Sequence, residues 1–167
     1  MRNTIAQYLA KIGAGNDREA LVPVLQAIAA QVNTQALNTA GLVISSAGAV
    51  TAKIGATDFY ATVRGALVKI AAGTALPVLT GLTITANRFN VACFFVDASG
   101  ATSVLFGTEA AAIGNVKWPD FPIDKALVGI AIITHSATFT GNTTPLDTAT
   151  TVYLSPIGAV DPTILYT

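Results

Sequence analysis

Residues 118–156 read WPDFPIDKALVGIAIITHSATFTGNTTPLDTATTVYLSP. A Pro/Asp loop leads into a long apolar segment, then a Gly/Asn/Thr-rich turn, then a short run of strand formers. Residues 127–133 are almost unbroken apolar sequence, rich in β-branched side chains. That pattern predicts a strand buried on both faces, either central in its sheet or covered by a symmetry mate. Pro119 and Pro122 remove two backbone donors, so the preceding loop is no central strand. It reads as a stiff loop with Trp118 and Phe121 as anchors.

The same reading extends upstream. LVISSAGAVTAKIG places two strand-like pieces around a Ser-Ala-Gly turn, and DFYATVRGALVKIAAG breaks at Gly65. VLTGLTIT, ATFT and TVYL add short strand candidates. RFNVACFFV–DASG–ATSVLFG is the clearest hairpin, with Asp97, Ser99 and Gly100 supplying turn chemistry. TEAAAI is read as one helical turn. Strand formers alternate with turn residues at intervals typical of all-β folds. The expectation is a mainly β protein, an antiparallel β-sandwich or barrel with a short N-terminal helical arm.

Residues 1–40 form that arm or anchor, and residues 41–167 the β-domain. Ile5, Tyr8, Leu9 and Ile12 share one face of a short helical stretch that Gly13–Asn16 breaks. Asn16 or Asp17 can cap a second, whose stripe is Leu21, Val24, Leu25, Ile28 and Val32. Pro23 requires this helix to start near residues 20–22 or to kink. The stripes must be buried, either on the chain's own β-domain or on a neighbouring subunit or larger lattice.

Composition bears on partners. Apolar residues make up 52% of the 167 and charged residues only 11%, against a usual charged share of about 25%. Small, weakly hydrated side chains must therefore cover much of the surface. Such surfaces lose little entropy or ion hydration when another protein covers them, which points to a homo-oligomer. Nine basic and nine acidic residues balance, with no basic cluster for nucleic acid. No apolar run reaches the ~18 residues of a membrane span. The first residues are a poor secretion signal.

Catalytic patterns are scarce. Cys93 lies in VACFFV and reads as a buried apolar thiol, and one cysteine allows no internal disulfide. His135 reads as a hydrogen-bonding group at a strand end. One His and one Cys make no ordinary zinc site. Asp120 and Asp124 are the best acidic pair, able to hold Ca²⁺ or to pair with Lys117 and Lys125, but they read more simply as turn aspartates. The hydroxyl-rich tract 134–151 has only Phe139 and Tyr153 nearby as aromatic platforms for sugar. The expectation is a non-enzyme without cofactor or metal.

Several pieces together carry a family likeness: Pro119-Asp120-Phe121-Pro122-Ile123-Asp124-Lys125, then Val128 to Thr134, then Phe139 to Asp147, then Thr150 to Leu154. With RFNVACFFVDASG and VLFGTEAAA upstream, they resemble small virion structural proteins of tailed bacteriophages over about residues 50–156. The resemblance rests on strand and turn composition and implies a capsid decoration (cement) or head-fibre protein. It further implies a β-rich homotrimer on the major capsid protein lattice, located on the phage head after synthesis in the host cytoplasm. Ile5, Tyr8, Leu9, Ile12, Leu21, Leu25, Ile28, Trp118 and Phe121 are the expected oligomer or capsid contacts. The alternative is a fibre module for receptor attachment, with residues 134–147 as a distal loop. A glycan hydrolase is the third reading, and the shortage of paired acids weighs against it.

Overall fold

The computed structural model describes residues 33–159, together with Leu25. In chain order its strands are β1 (Gln35–Ala36), β2 (Val43–Ile44), β3 (Ala52–Lys53), β4 (Phe59–Val63), β5 (Ala66–Ile70) and β6 (Thr83–Ile84). They continue with β7 (Phe89–Val96), β8 (Thr102–Phe106), β9 (Ala126–Thr134), β10 (Phe139–Thr140) and β11 (Thr150–Leu154). Every pairing is antiparallel. The larger sheets run β11-β9-β7-β8 and β1-β4-β5, and β2-β3 and β10-β6 are two-stranded. The expected mainly β fold is what the chain adopts.

The two larger sheets pack as the layers of a sandwich. One core cluster takes Phe59, Ala61, Val63, Val68 and Ile70 from the β4–β5 hairpin and Ala92, Phe94, Val96, Val128 and Ile133 from β7 and β9. Alternation explains the selection: β4 buries every second residue, and so does the end of β5. The central pair β7 and β9 has no such alternation, because both its faces are covered. Its second face carries Val91, Cys93, Phe95, Leu127 and Ile130, which pack with Val116 and Phe121 of the long β8–β9 connection. Phe121 stacks edge-on against Phe95, ring centroids 5.1 Å apart. The stiff loop is thus the lid of a second core, and residues 127–133 are a central strand.

A bulge adjusts the parity of β9. Phe94 faces Gly129 while Phe95 faces Leu127, so Val128 is the extra residue. Gly129 has no room for a side chain: a Cβ would lie 2.5 Å from Leu42 Cδ1 and 2.8 Å from the Leu154 carbonyl oxygen. The β4–β5 turn is Arg64-Gly65, with φ of 51° and 82°. Two consecutive positive φ values suit the twist of a tight hairpin.

Two expectations change. The helical turn read at TEAAAI is absent: Thr108 and Ala110 make isolated β-bridges to Lys117 and Phe89, and a 3-10 turn follows at Ile113–Asn115. β1 falls inside the segment assigned to the arm, and Ala36 and Ala40 are core residues. Residues 33–40 therefore pack as part of the β-domain.

Candidate functional site

The groups that could carry chemistry are dispersed. Cys93 points into the second core, and burial pushes its thiol up to about 12. At neutral pH it holds no thiolate. Cys93 pairs with Ile130, whereas His135 follows Thr134, the partner of Phe89. Five residue steps separate Ile130 from His135, about 16 Å at 3.3 Å each, so Cys93 and His135 form no nucleophile–base pair. The Ala137 N–H donates to His135 Nδ1 at 3.1 Å, closing the turn at the end of β9 as the sequence suggests.

The carboxylates mostly staple loops. Asp97 Oδ1 accepts from Ser99 N, Ser99 Oγ and Ala101 N at 2.8, 2.6 and 3.0 Å. Chiefly through the Ser99 hydroxyl, its pKa lies below the usual range. Glu109 accepts from Thr85 N and Oγ1 at 2.7 and 2.8 Å, and these bonds lower its pKa. Asp147 Oδ2 accepts from the Gly48 N–H at 2.7 Å, across 99 residues of sequence. Asp58 pairs with Lys69 at 2.7 Å and accepts from Ala72 N–H, so its pKa is lowered, chiefly by Lys69. Neither Asp120 nor Asp124 forms an ion pair among the described residues, and Lys125 Nζ donates to Ser103 Oγ. No group of three or more His, Cys, Asp or Glu there could hold a metal.

The hydroxyl-rich tract 134–151 is tied to the body. Phe139 and Leu146 are core residues. Gly141 N–H donates to Leu82 O, Leu146 N–H donates to Ala49 O, and Gly141 lies so close to the Leu79 backbone that no Cβ fits. Phe139 offers no exposed ring, and Tyr153 is half-buried with its hydroxyl unpartnered. A distal loop with stacking aromatics is not what this tract builds.

What stands open is apolar surface. Leu37 and Leu67 lie on the outer side of the β1-β4-β5 sheet, 45% and 67% exposed. Register puts Gln35, Thr62 and Leu67 in one row. The next row is Leu37, Tyr60 and Lys69, since the Leu37 N–H donates to Tyr60 O. The antiparallel bridge Ala36↔Gly158 adds Ile157 beside Leu37, and Ile157 is 63% exposed. The Thr62 hydroxyl, on this side of β4, is itself buried and has no hydrogen-bond partner. Lys69 on this face is held by Asp58 and lies 5.9 Å from the Tyr60 ring centroid.

The sequence-derived contacts distribute unevenly. Ile5, Tyr8, Leu9, Ile12, Leu21 and Ile28 lie outside the described residues. Leu25 is helical and 55% exposed. Trp118 packs half-buried against the second core, and Phe121 is buried within it, so Phe121 fastens the loop and presents no surface. The exposed side chains Leu37, Leu67 and Ile157 were not among those expectations. In ALVKI both alternate positions include apolar residues, so the pattern does not say that Leu67 faces outward. Among the described residues no helix is long and apolar enough to cross a membrane. No family model, curated protein or solved structure matches the chain.

Proposed function

We propose that this chain is a structural protein that works by surface contact, and specifically a decoration protein of a tailed-phage head. In this reading it is a homotrimer that sits on the major capsid protein lattice and stabilises it non-covalently. The observation that carries the assembly reading is the outer face of the β1-β4-β5 sheet, where exposed Leu37, Leu67 and Ile157 come together and Lys69 is already paired with Asp58. Exposed apolar patches of this kind mark interaction sites. The virion assignment rests on the resemblance of residues 50–156 to phage structural proteins.

The mechanism is burial of apolar area, at about 25 cal/mol per Å² before ordering costs. Repeated seating of several subunits multiplies modest contacts. Low charge keeps desolvation small when the faces close. The receptor-binding alternative is weaker, because residues 134–147 are pinned through Gly141, Phe139 and Leu146. The experiment is addition of purified chain to mature heads lacking it. Saturable binding and a higher temperature of DNA release are expected. Absence of binding, or unchanged heat release at full occupancy, defeats the reading.

A further inference from the structure

We infer that the assembled protein is joined by two complementary patches, the β4–β5 turn of one copy and the loop 120–124 of a second copy. Arg64 and Leu67 on the turn meet Asp120, Ile123 and Asp124 on the loop. The inference rests on the reading of the chain as an assembly protein, and it names the contact between copies.

Both patches stand open on fixed backbone. Residues 64–67 are exposed throughout, with Leu67 at 67%. Asp120, Ile123 and Asp124 are exposed as well, Ile123 at 59%. The Arg64 N–H donates to Thr34 Oγ1 and the Gly65 N–H donates to Asn33 O, each at 3.0 Å. Phe121 is buried under the loop, and Pro119 and Pro122 stiffen it. Each patch therefore sets charge beside one exposed aliphatic side chain, and the two signs are opposite.

The charges lack partners within the chain. Among the described residues the ion pairs are Lys69–Asp58 and Arg88–Glu109, and Arg64, Asp120 and Asp124 join neither. Lys125, next to Asp124, donates to Ser103. Arg64 also holds φ of 51°, where a turn of this kind favours Asn, Asp or Gly. Arginine is thus a strained choice for the fold, and its guanidinium fork matches a carboxylate with two parallel hydrogen bonds.

The layers keep the patches apart in one copy. Leu67 is on the outer side of the β1-β4-β5 sheet, whereas the loop covers the far face of the four-stranded sheet. The sheets stand about 10 Å apart, and the loop adds a further layer beyond them. Turn and loop therefore meet only between copies. A contact between two different patches is head-to-tail, and it closes a ring when the rotation between copies allows.

The test uses the purified 167-residue chain without heads, so its outcome is separate from head binding. The wild-type chain should sediment above the 17.0 kDa monomer. Arg64→Glu should raise the concentration of half-association about tenfold or more, and so should Asp120→Arg with Asp124→Arg. All three positions are exposed, so the unfolding midpoint of the monomer should stay unchanged. Combining the three substitutions restores opposite charges and should bring association back to near the wild-type level. A wild-type chain that is monomeric at every concentration, reversals that leave the oligomer intact, or a triple variant that does not recover each overturns the inference.

Discussion

The two larger sheets of this protein solve the same problem in opposite ways. β11-β9-β7-β8 covers both faces of its central strands, one with the β1-β4-β5 sheet and the other with its own β8–β9 connection. β1-β4-β5 covers one face and leaves Leu37, Leu67 and Ile157 on the other. The first sheet is the part that makes the chain fold. The second is a wall of that fold whose outside carries exposed apolar side chains, which in the proposed reading is the place for contact. Stability and association should therefore separate between the two sheets.

The separation is easiest to break at Phe94, which is fully buried in the shared core. Phe94→Ala should cost about 3–5 kcal/mol of unfolding free energy in a guanidinium titration. A loss below 1 kcal/mol would mean that the central sheet is not the folding core. Gly129→Ala comes next. Its methyl would press on Leu42 and the Leu154 carbonyl, and overpacking of this kind costs about 1–3 kcal/mol. Retained stability there would remove the close approach of the residue-42 segment to β9.

Acid should act on the loops more gently. Asp58, Asp97 and Glu109 all have lowered pKa values in the folded chain. Their unfolded values are about 3.9 for Asp and 4.3 for Glu, so below about pH 4.5 the unfolded chain binds more protons. Their stabilisation is complete above that range and is lost as pH falls through the folded values. The thermal midpoint should drop on acidification below about pH 4.5, and less steeply in Asp97→Asn. An identical slope in that variant would show that the Asp97 turn is not a contributor. The smallest effect belongs to the open face: Leu67→Ser should change monomer stability by no more than about 0.5 kcal/mol. A larger loss would put Leu67 in the core and close the comparison.

Much of the fold could be read from the chain before its structure. Residues 127–133 lack the alternation of a half-exposed strand, and β9 is indeed covered on both faces. Asp97 and Gly100 mark the β7–β8 turn, and Pro119 with Pro122 keep the following loop out of the sheets. TEAAAI misled because helix formers there are overruled by bridges from Thr108 and Ala110 to distant strands. Propensity is a weak prior against such tertiary pairing. The exposed apolar face was harder to see. Trp118 and Phe121 stood out as large aromatics, yet Phe121 is needed under the loop to cover Phe95. Leu37, Leu67 and Ile157 come from three separate segments, and only the register of β1 with β4, of β4 with β5, and of Ala36 with Gly158 sets them together. Long-range loop staples such as Asp147 to Gly48 are invisible for the same reason.

The central claim is that the outer face of the β1-β4-β5 sheet is the contact surface of the assembled protein. Carbene footprinting of the chain, first as dilute monomer and then assembled, reads this directly. The account predicts that Leu37, Leu67 and Ile157 lose labelling on assembly. Unchanged labelling of Leu37, Leu67 and Ile157, with protection elsewhere, would contradict it.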